Sequence, residues 1–302
     1  MPRLSIIVPH RQDDLRLEAT LVSILENRPN DCEIVVVHDG SYRDPYHLGD
    51  EVVFVQESGG VGDVQKLNAG VLAACAPIVN LLMDGTLVQP AWTLEPLKLF
   101  NDPSIATVAT TVQSQNGRCA GILPMTRVEA RSLQRGRVEQ IRSASTPAGP
   151  AMACGFYRRR QLLALGGWNA DLSVDTADVE MAWLQQTLGL SCESAVNIEI
   201  EQAFGARNID ARTVHQLASI GVAFGLNGSG LASAAGGFMG GMLTCGPSAA
   251  SAWARGILDN DLSLSIAKRI NAAAENLRQL ESNSQVENYE SKSCIAPARR
   301  AA

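Results

Sequence analysis

Five apolar runs, rich in β-branched residues, most constrain what this chain can become: Leu4-Ser5-Ile6-Ile7-Val8, Glu33 to Val37, Glu51 to Val55, Ile78 to Met83 and Ile105 to Val112. Each is continuous rather than alternating, so each reads as a strand buried on both faces, the situation of a parallel sheet covered by helices on two sides. The intervening segments read as helices. Asp13 and Asp14 are placed to cap one whose Leu17, Leu21, Ile24 and Leu25 share a face, and Arg28-Pro29-Asn30 stops it. A second, from about Asp63 to Cys75, carries Leu67, Val71 and Leu72 as its buried stripe. Pro90, as first helical residue, opens a third with Leu94, Leu97 and Leu99 on its apolar side. Strand, helix and strand at this spacing imply βαβ units with right-handed crossovers. The expected fold is therefore α/β, a Rossmann-like, mostly parallel sheet flanked by helices. Ligands of such sheets sit beyond the carboxyl ends of the strands. Those ends carry Pro9-His10-Arg11, His38-Asp39-Gly40-Ser41 and Asp84-Gly85-Thr86.

Composition narrows the function classes. The 302 residues carry 25 basic and 31 acidic side chains, a net charge of −6, which argues against nucleic acid as a partner. The seven cysteines are scattered, odd in number and never spaced C-x-x-C, which excludes a zinc ribbon and makes a reducing compartment the expectation. The first apolar run is too short for a signal peptide and ends at Pro9, so the expected location is the cytoplasm. Gly60-Val61-Gly62 follows the third strand and lacks a final glycine. The turn after the first strand, Val8-Pro9-His10-Arg11, has no glycine fingerprint either, which excludes a nicotinamide-dependent oxidoreductase.

The second half is patterned more weakly. A basic, helix-compatible stretch spans Arg127 to Arg142, a strand-like segment Ala151 to Arg160, and the turn Gly166-Gly167-Trp168-Asn169 follows a short helix. Asp175-Thr176-Ala177-Asp178 opens a helix through Met181, Leu184 and Leu188 that Gly189 terminates. Thr213 to Ala254 contains no Asp, Glu, Lys or Arg and has spacings such as Gly221-x-x-x-Gly225 and Gly236-x-x-x-Gly240. Such small-residue faces suit a closely packed helix pair, a homodimer face or peripheral contact with a membrane. Leu262, Ile266, Ile270, Ala273, Leu277 and Leu280 mark an amphipathic helix, and a Ser/Asn/Glu-rich tail from about Ser282 reads as disordered.

The strings LSIIVPHRQ, LEATLVSILENRPNDCEIVVVHDGS and KLNAGVLAACAPIVNLLMDGT, followed by CGFYRRRQLLALGGWNADLSVDTADVEMAWLQQ, resemble the inverting family 2 glycosyltransferases of the GT-A fold over roughly residues 4–190. The resemblance implies a GT-A domain over 1–205, with a nucleotide-binding half to about 115 and an acceptor half over 116–205. A helical extension would cover 206–281 and the tail 282–302. It implies a nucleotide-sugar donor, with a UDP-sugar as first expectation, a glycan or lipid-linked acceptor, and a divalent cation, Mn²⁺ or Mg²⁺. Pro9, Asp39 and Asp84 fall on donor-binding positions, Asp84 doubling as metal ligand, and Arg11, which replaces a common polar residue of the family, is expected on the donor side in contact with phosphate. Asp178 falls on the position of the general base, and Trp168 and Glu180 on the acceptor side.

The chain departs from that pattern at three further places. His38 replaces the first acid of the Asp-Asp-Gly-Ser segment, Thr86 replaces the second acid of Asp-x-Asp, and Leu184 stands where the family often has arginine. The residues also have plain structural readings. Asp39 can make an Asx-turn before Gly40, Asp84-Gly85 can be turn chemistry alone, and Asp178 can ease the dipole of a helix that Asp175 caps. Trp168 can be core, and His215 is read as an ordinary histidine in preference to a late metal ligand. Two functions follow: an inverting glycosyltransferase, or a nucleotide-binding or scaffolding protein of the same fold with impaired catalysis.

Overall fold

The computed structural model describes residues 2–58, 61–114, 117–119, 121–122, 146–202, 210–225, 248 and 251–293. β1 (Leu4–Pro9) is buried at every position, as its unbroken apolar run requires. Its Leu4, Ile6 and Val8 pack with Leu17, Leu21 and Ile24 of α1 (Asp14–Glu26), whereas Ile7 packs on the opposite face with Val64, Leu67 and Val71 of α2 (Asp63–Ala73). Asp13 caps α1, its side chain accepting from the Arg16 amide.

Among the described residues nine strands form one sheet: β1, β2 (Cys32–His38), β3 (Val52–Gln56), β4 (Ile78–Leu82), β5 (Thr86–Leu87), β6 (Ile105–Ser114), β7 (Gly117–Cys119), β8 (Cys154–Arg158) and β9 (Ser191–Gln202). Their order is β3-β2-β1-β4-β8-β6-β9-β5, with β7 paired to β6. β3, β2, β1 and β4 are mutually parallel. β8 enters antiparallel between β4 and β6, so β6 and its parallel neighbour β9 point the same way as the first four. The helical layers are completed by α3 (Leu94–Leu99), α4 (Arg159–Ala164), α5 (Val174–Thr187), α6 (Ala211–Ala223) and α7 (Asn260–Ser293). The mostly parallel α/β sheet flanked by helices is the expected fold.

Three local expectations need correction. Leu72 is not in the buried stripe of α2 but 67% exposed, because α2 docks through Val64, Leu67 and Val71. Pro90 does not open α3. Ala91 adopts a left-handed φ of 65°, which no right-handed helix can accommodate, so the helix begins at Leu94 and leaves Leu94 exposed. Ser173, not Asp175, occupies the cap position of α5.

The C-terminal helix belongs to the main core. Ile266, Ala273 and Leu277 of α7 join the same apolar cluster as Leu162, Leu165 and Trp168. α7 continues to Ser293, past Ser282 where the disordered tail is expected to start; residues 294–302 lie outside the described ones. The basic stretch 127–142 and most of the charge-free segment, including Gly236 to Gly241, also lie outside them. Among the described residues no helix is long and apolar enough to cross a membrane. Cys32, Cys75, Cys119, Cys154 and Cys192 are free thiols.

The α2–sheet contact is close enough to require glycine. A Cβ on Gly70 would lie 2.4 Å from Ile7 Cγ2 and 3.1 Å from Val37 Cγ2. Gly70→Ala is therefore expected to lower stability by about 1–2 kcal/mol in urea denaturation, overpacking outweighing the gain in helix propensity. Gly49→Ala, with nothing within 4 Å, should stay within about 0.5 kcal/mol of the parent.

Candidate functional site

From β1 the chain runs through α1 to β2 and β3 on one side. It then returns through α2 to β4 on the other side of β1. Because α1 and α2 cover opposite faces, the carboxyl ends of β1 and β4 part at a topological switch point, where α/β sheets bind ligands. Arg11 follows β1 and Asp84 follows β4, and they meet across that crevice. Asp84 is fully buried; its Oδ1 accepts from Arg11 Nε, and its Oδ2 accepts from the Arg11 amide at 3.1 Å. Arg11 Nη2 donates to the Asp84 carbonyl at 3.4 Å. Burial pushes the Asp84 carboxyl above its usual range, and the charge of Arg11 opposes that rise. The turn reading of Asp84-Gly85 holds at the same time. Gly85 has a φ of 84°, and its amide donates to Thr20 Oγ1 at 2.8 Å and to the Arg16 carbonyl at 3.2 Å. Thr86 is buried, and its Oγ1 has no partner among the described residues.

Asp39 leaves the end of β2 and does make the Asx-turn: Oδ1 accepts from Ser41 Oγ at 2.5 Å and from the Ser41 amide at 3.1 Å. Those bonds hold its carboxyl well below the usual carboxylate range. Gln12 Nε2 also reaches Asp39, at 3.4 Å, and ties the β2 turn to the β1 turn. Between these turns and α1 lies a cleft of about 460 Å³, lined by His10, Gln12, Asp13, Asp14, Leu15 and Ser41. Pro9, the last residue of β1, is buried beneath it. His38 packs edge-on against Tyr42 and Phe54, and burial lowers its pKa.

β8 brings the second half of the chain to this edge. Its antiparallel pairing sets Cys154 opposite Leu82, so the residues just before it reach the carboxyl end of β4, where the Met83 amide donates to the Ala153 carbonyl at 3.0 Å. The neighbouring Met152 amide donates to Asp178 Oδ2 at 3.0 Å. Asp178 is thus joined to the Asp84 turn through two consecutive residues, and it is 2% exposed. Trp168 is buried, its ring edge-on to Tyr157, whose phenol is raised well above its usual pKa by burial and then by the charge of Asp178. Glu180, fully buried on α5, points elsewhere and receives Arg269 Nε from α7 at 2.9 Å. His215 Nε2 lies 3.0 Å from Asp259 Oδ2.

Three positioning residues escaped the sequence reading. Lys66, buried on α2, donates to the His10 carbonyl at 2.8 Å and fixes the β1 turn. Asn68 holds Trp168 by two bonds of 2.8 Å, one to its carbonyl and one from its amide, and so clamps the two halves together. Arg269 donates to the carbonyls of Leu165 and Gly167 beside that clamp. Asn68 and Arg269 share a signal: each is a polar residue at helical spacing from buried ones, Asn68 four beyond Val64 and Arg269 three beyond Ile266.

The resemblance implies a divalent cation at this donor set. Hard cations need several oxygen ligands. Asp84 already accepts from the Arg11 guanidinium at Oδ1 and from the Arg11 backbone amide at Oδ2, Thr86 brings no charge, and the described residues hold no group of three His, Cys, Asp or Glu able to bind a metal. The residues present do not fit an ion held at Asp84.

The family described as “Glycosyltransferase like family 2” matches residues 2–213. No curated protein gives a significant match. Among solved structures the chain is similar to the mannosyltransferase PcManGT from Pyrobaculum calidifontis in complex with GDP-Man and Mn²⁺: 19% identity, 91% of this chain and 87% of that one, TM-score 0.55. It is also similar to GalNAc-T7 with UDP, GalNAc and Mn²⁺, at 15% identity over 74% of this chain and 48% of that one, TM-score 0.55. A third likeness is to S. aureus TarS 1–349, at 14% identity over 92% of each chain, TM-score 0.51. At these identities the likeness establishes the GT-A fold.

The buried pair Glu180–Arg269 gives a test of how α5 is held to α7. Arg269→Met leaves a buried carboxylate without its cation and is expected to cost about 3–5 kcal/mol at pH 7 in urea denaturation. Burial already raises the Glu180 pKa, and losing Arg269 raises it further. A folded-state pKa above the unfolded one adds stability as pH falls, so the deficit should shrink from pH 7 to pH 5. An equal deficit at both values would rule out the charge as its cause.

Proposed function

The chain belongs to glycosyltransferase family 2, and we propose that it moves a sugar from a nucleotide-sugar donor to an acceptor hydroxyl with inversion at the transferred carbon. The observation that carries this reading is the convergence of the β1, β2 and β4 turns on one switch point, with α5 tied to the same edge through Met152 and Ala153. In this reading the nucleoside occupies the cleft beside Ser41, whose size suits a small-molecule site. Asp39, kept ionised by its turn, accepts hydrogen bonds from the ribose or base. Pro9 shapes the floor, and Arg11 and Asp84 lie towards the diphosphate. UDP and GDP are the nucleotides held by two of the similar structures, and both are candidates.

The chemistry asked of Asp178 is proton transfer. Its carboxylate takes the proton of the acceptor hydroxyl while that oxygen bonds to the anomeric carbon, and the bond from that carbon to the diphosphate breaks on the opposite face. The acceptor is a glycan or a lipid-linked sugar. Trp168 and Glu180 act on this side as positioning residues rather than as contacts. The Trp168 ring packs edge-on against Tyr157, and Glu180 anchors Arg269 beside the turn that Asn68 clamps. Because Asp178 lies closed off beneath Met152, the segment around Met152 has to shift for an acceptor to reach it. That burial favours the second reading, a nucleotide-binding protein of this fold that has lost transfer.

One assay separates the two. Nucleoside diphosphate release from UDP- and GDP-sugars, supplied with glycan and lipid-linked acceptors, is expected for the parent chain. Asp178→Asn should lower turnover by about 10²–10⁴-fold and leave the affinity for the free diphosphate within about twofold. Diphosphate binding with no turnover in the parent would establish the second reading. In the same binding measurement, Asp39→Ala should weaken the nucleotide by about tenfold, the loss of one hydrogen bond to a charged acceptor.

A further inference from the structure

A departing nucleoside diphosphate carries negative charge that has to be met by metal, helix dipole or cationic side chains. At the switch point of this sheet the carboxylate that would grip a metal is held by a guanidinium from the neighbouring turn. The cation is built into the chain. Arg11 is 26% exposed, so it is not consumed by the pair. Asp84 takes Nε, Nη2 makes a long bond to the Asp84 carbonyl, and Nη1 has no partner among the described residues. Its neighbours His10 and Gln12 line the cleft. A guanidinium oriented along one edge by a carboxylate keeps its other N–H groups in a fixed fork, the geometry that suits phosphate oxygens.

The nearby cations do not fill this place. Lys66 is buried and committed to the His10 carbonyl, with Asp63 at 3.5 Å and Asp39 at 3.9 Å, and Arg16 is paired with Asp13 at 2.9 Å. The substitution of Thr86 for the second acid fits the same scheme. A threonine adds no negative charge to repel a phosphate and none to attract a second cation.

We propose that Arg11, oriented by Asp84, takes the charge-neutralising part of a divalent ion, so that this chain binds nucleoside diphosphates without metal. The inference rests on the glycosyltransferase reading for the identity of its ligand. It assigns Asp84 a positioning role in place of metal ligation.

The test is calorimetric titration of the full chain with UDP and with GDP, in EDTA and again with Mn²⁺. Affinities within about twofold of each other are expected in the two conditions. Arg11→Gln alone leaves Asp84 buried without its cation and risks unfolding, so the informative variant is Arg11→Gln with Asp84→Asn, which removes both charges together. With its fold verified by circular dichroism and thermal melting, this double variant should lose about tenfold or more of the diphosphate affinity in EDTA. Asp84→Asn alone, which keeps the guanidinium, should lose less. Binding in the parent that tightens more than tenfold with Mn²⁺, or a double variant that binds undiminished, would overturn the proposal and leave the transferase reading standing. No binding of either diphosphate in either condition would overturn both.

Discussion

A strand buried on both faces has to be covered twice, and in this molecule that requirement sets the place of everything functional. β1 directs Leu4, Ile6 and Val8 to α1 and Ile7 to α2. With one helix on each face, the two crossovers leave β1 in opposite directions and the turns after β1 and β4 splay apart. The polar groups on those turns cannot be satisfied by a neighbouring strand. Asp84 must find a partner across the gap, and Arg11 is the one within reach. The crevice is thus a consequence of burying the first apolar run, and the ion pair is what keeps its two lips in register.

The second half is fastened to that crevice by polar contacts inside an otherwise apolar core. β8 carries Met152 and Ala153 to the end of β4, Asn68 grips the backbone of Trp168, and Arg269 fixes the turn before it. Gly167 can sit there because a Cβ at that position would come within 2.3 Å of Asn68 Oδ1, and its φ of 69° suits glycine. Buried polar clamps of this kind are costly when half satisfied and specific when complete. They tie the placement of Asp178 to residues on α2 and α7, far from it in the chain.

What the amino-acid string discloses follows from the range of the interactions. The parallel strands are legible because burial on both faces leaves a continuous local pattern, and the Asp13 cap because it is made within three residues. The insertion of β8 between β4 and β6 is not legible. Cys154 to Arg158 reads as a strand, but nothing local states its partner or direction. Leu72 and Leu94 were misread for a related reason. Helical spacing says which residues share a face, but not which face the sheet selects, and the left-handed Ala91 delays α3 past the point its proline suggests. Of the acids, Asp39 and Asp84 are legible as a pair at strand ends. The separate fate of Glu180 is not, because its partner lies on a helix that folds back from the end of the described chain.

The acids nevertheless sort by what holds them, and that bears on what each can do. Asp39 is stabilised as an anion by a hydroxyl and an amide of its own turn, so it can serve as a fixed acceptor. Asp84 is fully buried and accepts from a guanidinium at Oδ1 and from a backbone amide at Oδ2, the setting of the orienting role proposed for it. Glu180 is fully buried too, yet its cation comes from α7 and serves backbone carbonyls, so removing it would be felt as stability. Asp178 lies in the core on α5, and its Oδ2 accepts from the Met152 amide, in the segment that leads to the end of β4. In the proposed reading that backbone tie sets its position relative to the turns after β1 and β4. The four acids therefore differ in what holds them, and the roles proposed for them rest on those partners together with their place at the crevice.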